Sequence, residues 1–467
     1  MDRHQLVVVE ANEVPLRIIR DLAPSGRMPF LAGLLEQGTL VETEVTEDLP
    51  RDLYPSQTWA SLNTGVPWSV HGVYWYGDPK PVEHPLYWQI AARSGRSVGL
   101  VNTLHSSPLA TQCADGDYRF VIPDCFAGDE STLPATYGTF QRANLSLTGA
   151  NSRRVVLRPG AADLARLALS LPRLGLRPAT ILALGRLVAG VARGSVPRER
   201  LRFGQFLVQR DLFLRLLERH RPDLAILFTN HVASAMHRYW YALYPQDFGQ
   251  QHYGDEWVAR YRDEIPAALV LLDRFLGELG VWCEANNRTL VVVSSMGQGP
   301  SDRLDTGDRF EAVVADGTRF LASVGIEGGF RVLGSMNPQL TLSCDDPERA
   351  SQVAAALSGV EAGPVFWDVD RTGDVVTLTY QIEVVDGETV RVGGVRRQAR
   401  SIGVDVYPID DHSSGRHIPR GILGVANSAS FKPPLDDVID HLEVAPAMVD
   451  HLGVERAPHH RSPDFSL

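Results

Sequence analysis

The sequence predicts an α/β protein built on a doubly wound, mostly parallel sheet flanked by helices, and three observations predict it. Four short runs are almost continuously apolar: QLVVVEANE (Gln5–Glu13), RSVGLVNT (Arg96–Thr103), DLAILFTNH (Asp223–His231) and RTLVVVSSM (Arg288–Met296). Strands covered on both faces read this way, and parallel sheets are the usual cause. Helix-period segments lie between these runs, and alternating strands and helices argue for a sheet wound on both sides. Each run also ends in polar residues, where an open α/β sheet gathers its ligands.

Along the chain, the Gln5–Glu13 run gives way to MPFLAGLLEQGTLV, a helix expected to stop at Gly38. From Arg153 to Arg221 comes an arginine-rich stretch of helical period, including LPRLGLRPATILALGRLVAGVARG. It reads as a helical insertion on the main domain, with a membrane-surface helix or a lid over an apolar substrate as the alternative. Pro178 and several glycines interrupt any long amphipathic face there, which favours the packed insertion. AALVLLDRFLGELGVW (Ala267–Trp282) is a further helix, and the texture changes from 339 to 395. There PQLTLSCDDPERASQVAAALSGV reads as strand then helix, and VVTLTYQIEVVDGETVRVGG as a hairpin turning near Asp386–Gly387. The expected layout is a core of 1–152, 222–338 and 396–467, with a helical insertion at 153–221 and a small α+β subdomain at 339–395.

Composition narrows the classes. A formal charge of −11 disfavours a general nucleic-acid binder, whose footprint is basic. Cys113, Cys125, Cys283 and Cys344 show no C-x-x-C spacing, so they read as reduced structural thiols, with a Cys113–Cys125 bridge as the one open alternative. MDRHQLVVVEANEVP runs straight into a strand without a signal-peptide apolar region, and no apolar run is long enough to span a bilayer. A cytoplasmic protein with no transmembrane segment is the expectation; oligomeric state is silent.

Four polar clusters sit at or after strand ends. The first is Glu10, with Asn12 and Glu13 beyond it. A carboxylate at the mouth of a buried strand is costly unless paired, hydrogen-bonded or bound to metal. Glu10 therefore reads as a metal ligand, and Glu13 as a carboxylate favoured by a helix N-terminus. The second, YPSQTWASLNTGVPWSVHGV (Tyr54–Val73), places the Thr58 hydroxyl near a helix start, where an anion site and a simple N-cap look alike. The third, FTNHVASAMHRYW (Phe228–Trp240), carries His231 and His237 just after a buried strand, which raises the odds of a metal site. The fourth, DDHSSGRHIPRGILGVAN (Asp410–Asn427), holds His412 and His417 in a glycine-containing loop before a short strand.

Taken in this order the clusters resemble the type I phosphodiesterases and nucleotide pyrophosphatases of the alkaline phosphatase superfamily. The Tyr54–Val73 segment is similar to the nucleophile segment of that branch, with Thr58 at the nucleophile position. MPFLAGLLEQGTLV, GRHIPRGILGVAN and LEVAPAMVDHLGV (Leu442–Val454) are similar to its first helix, its late Gly-x-His loop and its terminal helix. The resemblance implies an alkaline phosphatase-like fold and two divalent cations, often zinc. One activates the hydroxyl and the other stabilises the leaving oxygen as a covalent ester intermediate forms.

Transferred residue by residue, the resemblance puts Glu10 at the first carboxylate position and matches Thr58, His237 and His417. Ala233 replaces an expected Asp, with His231 or Asn230 nearby as substitutes, and Ser295 and Met296 replace an expected Asp-His pair. What this implies is one cation, zinc first, held by His237 and His417 and completed by His231 or Asn230, with Glu10 remaining at the dismantled second position. Asn12, Gln57, Ser295, Gln298 and Arg416 would line a substrate, a small phosphate or sulfate ester, with Thr58 as nucleophile of a hydrolase or transferase. Two alternatives stand beside it: a non-catalytic relative binding an anionic ligand, and a rebuilt site with metal-free chemistry.

Overall fold

Strand β1 (Leu6–Ala11) lies in the middle of the molecule, with every residue buried. The computed structural model describes residues 5–49, 53–73, 83–149, 174–301, 310–333, 339–360, 366–408, 413–434 and 438–467. The strands that follow β1 in the first part of the chain are β2 (Leu40–Glu44), β3 (Ser97–Val101), β4 (Asp117–Ile122), β5 (Leu224–Thr229), β6 (Thr289–Val293) and β7 (Gly297–Pro300). The smaller lobe contributes β8 (Phe310–Val314), β9 (Phe330–Leu333), β10 (Gln339–Cys344), β11 (Trp367–Thr372), β12 (Val375–Tyr380), β13 (Glu383–Val384), β14 (Thr389–Val392), β15 (Val395–Gln398) and β16 (Val404–Pro408). The chain closes with β17 (Gly415–Ile418), β18 (Arg420–Ala426) and β19 (Val438–Asp440).

Eight of these form one sheet in the order β19–β2–β18–β6–β1–β5–β3–β4. Strand β1 pairs in parallel with β5 and β6, and β3 in parallel with β4 and β5. Only β18 runs against its neighbours, β2 and β6. The four apolar runs of the sequence are thus β1, β3, β5 and β6, and the α/β architecture is as expected.

Period-2 alternation sends Val7 and Val9 of β1 to one face and Leu6 and Val8 to the other. The first face is covered by the helices Pro29–Glu36, Phe203–His220 and Glu264–Ala285. The second is covered by Pro55–Thr64, Tyr87–Arg93 and Val444–His451. The sheet is wound on both sides, and the carboxyl ends of β1, β5 and β6 open at one edge.

The structure redraws two boundaries. The Phe203–His220 helix buries Phe206, Leu212, Phe213, Leu216 and Leu217 in the main core, so the packed insertion is narrower than Arg153–Arg221. Residues 150–173 of that stretch lie outside the described residues. The second lobe has its own core running from Ala312 and Phe320 to Val404, wider than 339–395. Its turn near Asp386 joins β13 to β14, whereas β12 pairs with β10 and β11. The cysteines, Cys113 and Cys125 included, are free thiols. No helix among the described residues is long and apolar enough to cross a membrane.

SSMGQGP, expected as a bare strand end, continues into β7, which pairs antiparallel with β17 and so with the His417 segment. The crossing is tight. A Cβ on Gly297 would lie 2.0 Å from the Arg420 carbonyl oxygen, and one on Gly421 would lie 2.5 Å from that of Ser294. Backbone cannot retreat as a flexible side chain can, so both positions require glycine. Gly297→Ala is expected to cost about 1–3 kcal/mol, measured as a lower urea midpoint, whereas Gly128→Ala, with open space at its Cβ, is expected to leave the midpoint in place.

Candidate functional site

The site grows from the exit of β1. Past Ala11 the chain turns sharply, and Glu13 takes φ of +61°, a left-handed conformation uncommon for a residue with a side chain. Such strain persists where surrounding contacts over-determine it, and here they do. The Glu13 carboxylate is buried, and its Oε1 accepts from Asn12 Nδ2 at 2.7 Å. Its Oε2 accepts from Gln298 Nε2 and lies 3.0 Å from His237 Nε2 and 3.4 Å from His417 Nε2. His237 comes from the helix His231–Leu243 that follows β5, and His417 from β17. Three carboxyl-end connections therefore converge on one carboxylate.

The tautomers follow from the partners. His237 Nδ1 faces the Gly415 carbonyl at 3.3 Å, and His417 Nδ1 faces the Leu53 carbonyl. A carbonyl only accepts, so each Nδ1 carries a proton, and each neutral ring turns the lone pair of Nε2 toward Glu13. Two lone pairs and a carboxylate oxygen then face one another, which requires positive charge between them. Protons on both Nε2 atoms would provide it, and so would a cation. The ligand atoms of Glu13, His237 and His417 all lie within 4.8 Å of one another. Backbone carbonyls that fix the far nitrogen are the usual means of orienting metal-binding histidines. Burial alone would raise the Glu13 carboxyl; with protons on both Nε2 atoms, the charges and hydrogen bonds of His417 and His237 outweigh burial and hold the group well below the usual carboxylate range.

Around this cluster the other expected residues take definite places. Asn12 is saturated: its Nδ2 also donates to Asn230 Oδ1 at 2.8 Å, and its Oδ1 accepts from Trp59 Nε1 at 2.8 Å. Trp59 sits beside Thr58 in the helix Pro55–Thr64, which therefore connects to the Glu13 cluster through Asn12. Tyr54 is the N-cap of that helix and Thr58 lies past the first turn, so Thr58 is neither a cap nor at the helix mouth. The Thr58 hydroxyl is fully buried, 2.9 Å from Ser295 Oγ. Ser294 ties β6 to the exit of β1 through the Ala11 carbonyl and the Val14 amide. Gln57 is buried with its amide unpartnered, and Arg416 is exposed on β17. His412 lies outside the described residues.

Three readings of the sequence change here. His231 is not with the other histidines. It stacks on Phe206 at 3.8 Å, bonds to the Ala268 carbonyl and to Thr229 on the opposite face of the sheet, and is pushed down to about 3 by burial. Glu10 points by strand alternation under the Pro55–Thr64 helix, away from His237 and His417. Glu13, expected to serve a helix N-terminus, is instead the carboxylate of the cluster, and the next helix, Leu16–Leu22, has no side-chain cap. The signal for Glu13 was its position in an ANE tripeptide that must turn at once into Val14-Pro15.

A Ser–His contact elsewhere has no nucleophilic role. His71 Nε2 lies 2.8 Å from Ser61 Oγ, but His71 Nδ1 accepts from the Val73 amide at 3.0 Å. The proton is therefore on Nε2, and the ring has no lone pair with which to take the serine proton.

No family model matches the sequence, and no curated protein matches it. Solved structures do match along almost the whole chain. Phosphonoacetate hydrolase from Sinorhizobium meliloti 1021 gives a TM-score of 0.40 at 15% identity, covering 97% of this chain and 96% of that one. Murine ectonucleotide pyrophosphatase/phosphodiesterase 5 gives 0.41 at 12% identity, covering 98% of each chain. The human form gives 0.40 at 11%, covering 98% and 97%.

The buried Glu10 yields a stability test. Both of its oxygens, and both amide atoms of nearby Asn63, lack a hydrogen bond of ordinary geometry. Burial pushes the carboxyl up to about 8, and Asn63 offsets only part of the shift. The folded state thus holds a proton that the unfolded chain, titrating near 4.5, has released. Its contribution is fully present below the unfolded value and is lost as pH rises toward about 8, at about 1.4 kcal/mol per unit. Urea unfolding between these limits is expected to show that slope in the wild type and a flatter profile in Glu10→Gln.

Proposed function

We propose that the chain is a hydrolase or transferase acting on small phosphoric or sulfuric esters, with one divalent cation held by Glu13, His237 and His417. The observation that carries this reading is the convergence of two Nε2 atoms, each oriented by a backbone carbonyl, on one buried carboxylate oxygen. Two imidazoles and a carboxylate form a donor set suited to zinc, and three protein ligands leave a position for substrate. A cation there would supply Lewis-acid polarisation of an ester oxygen.

The chain's own residues do the rest in this reading. Thr58 Oγ1 is the nucleophile: it bonds to phosphorus or sulfur as the bond to the leaving oxygen breaks, its proton passing to that oxygen so that an alcohol departs, and water later cleaves the covalent ester and restores the hydroxyl. Ser295 fixes the rotamer of the Thr58 hydroxyl, and Asn12 couples the Thr58 helix to the ligand carboxylate. Gln57 and Arg416 belong to the substrate side, the first with an unpartnered buried amide and the second with a charge matched to an anion. Because the Thr58 hydroxyl is fully buried, substrate entry requires the strand end to open. That same burial favours the second reading, a binding protein for an anionic ligand.

Metal analysis and turnover separate the two. The wild type is expected to bind about one zinc per chain and to hydrolyse bis(p-nitrophenyl) phosphate. Glu13→Gln and His237→Ala are expected to lose the metal and at least ten-fold in rate, an amount typical of lost ligands. Thr58→Ala is expected to keep the metal and lose turnover. Metal without turnover in any form assigns the site to binding, and absence of metal from the wild type after zinc loading overturns both the cation and the enzyme.

A further inference from the structure

The helix Pro178–Ala192 covers little of the core. Of its fifteen residues only Thr180 and Gly190 are buried, and Leu184 rests against the main cluster beside Gly204. Arg210 ties the inner face down through Thr180 Oγ1 at 2.8 Å. The opposite face is apolar and open: Ile181 is 52% exposed, Leu182 53% and Val188 60%, with Leu201 of the following turn at 40%. At 100° per residue, Val188, Ile181, Ala192, Gly185, Ala189 and Leu182 span one continuous sector of this face, and Arg193 and Arg186 follow along its border.

The charge is of one kind. The helix contains no acidic residue. Arg186, Arg193 and Arg198 are exposed and have no ion pair among the described residues, whereas Arg177 and Arg200 on the inner side are paired with Asp211, Glu278 and Glu264. In a chain of net charge −11, three unpaired arginines beside an aliphatic stripe form a local exception.

We propose that this helix docks the protein on an anionic lipid surface, its aliphatic stripe entering the headgroup boundary and Arg186, Arg193 and Arg198 meeting lipid phosphates. Charge complementarity selects the occupant. A helix bordered by Arg186 and Arg193 and without a carboxylate of its own, Glu199 of the next turn being the nearest in sequence, fits an interface of anionic lipids, and arginine stems lie along apolar surface while their heads reach phosphate. A second copy of the chain fits less well. Three half-exposed aliphatic side chains offer on the order of a few hundred Å², below the ~800 Å² per partner of a stable interface, and two copies would bring like charges together. The inference is independent of the chemistry proposed at Glu13.

Flotation of the full chain with vesicles tests it. Binding is expected to phosphatidylcholine vesicles containing roughly 30% phosphatidylglycerol, to be weak on phosphatidylcholine alone, and to fall with salt. Each arginine removed is expected to weaken binding about fivefold, so Arg186→Glu/Arg193→Glu falls more than tenfold. Ile181→Ser/Leu182→Ser is expected to lose binding as well, with unchanged circular dichroism and thermal midpoint in both variants. Failure of the wild type to float with the anionic vesicles, or equal binding by both variants, overturns the proposal. So does a concentration-dependent dimer in sedimentation that the Ile181/Leu182 variant abolishes, which would assign the face to a second copy.

Discussion

One buried carboxylate, Glu13, organises the strand-end surface of this protein. It lies where three separate stretches of chain must meet: the exit of β1, the helix after β5, and the antiparallel β7–β17 pair. Each stretch brings a group that answers its charge, Asn12 and Gln298 with amide hydrogens and His237 and His417 with ring nitrogens. An ionised group without such partners would be expelled from this depth or would titrate to its neutral form. The left-handed backbone at Glu13 is the local conformational cost of placing the carboxylate there, and the four contacts offset it.

Glu10, three residues earlier, shows the contrast. Both glutamates are buried and both belong to the β1 exit, yet their environments push their protons in opposite directions. Strand alternation sends Glu10 beneath the Pro55–Thr64 helix, where it meets apolar side chains and the Asn63 amide. Glu13 lies beyond the last strand residue, where the backbone turn releases it from alternation and lets it face the imidazoles. Environment, not residue type, decides which is the charged group.

Much of this was legible in the sequence, and the reason is local. Apolar runs of β-branched residues locate β1, β3, β5 and β6, because a strand covered on both faces has no polar side. His237 and His417 were candidates from their places after a buried strand and in a late glycine-containing loop, and only the family resemblance paired them. What sequence could not resolve is direction. His231 and His237 are close in the chain and both were candidate ligands, but the helix turns His231 into the far core against Phe206. Glu10 looked the better carboxylate because it belongs to the strand, and belonging to the strand is what aims it away. The pairing of β7 with β17, which carries His417 to the site, joins segments far apart in sequence and leaves no local trace.

The segment SSMGQGP then has a physical reading that does not require acidic or imidazole ligands. Ser294 closes the β1 exit, Ser295 holds the Thr58 hydroxyl, Gly297 allows the backbone crossing, and Gln298 donates to Glu13. These are neutral groups, and their neutrality has a consequence for the proposed cation. Beside Thr58 the structure places a serine hydroxyl, and the carboxyl of Glu10, pushed up to about 8 by burial, is turned under the helix. Little negative charge is left there to balance a second divalent ion in a buried position. At Glu13 a carboxylate and two oriented imidazoles are already in place. That distribution is the reason the proposal places its one cation at Glu13 and leaves the remaining strand ends to orient and enclose.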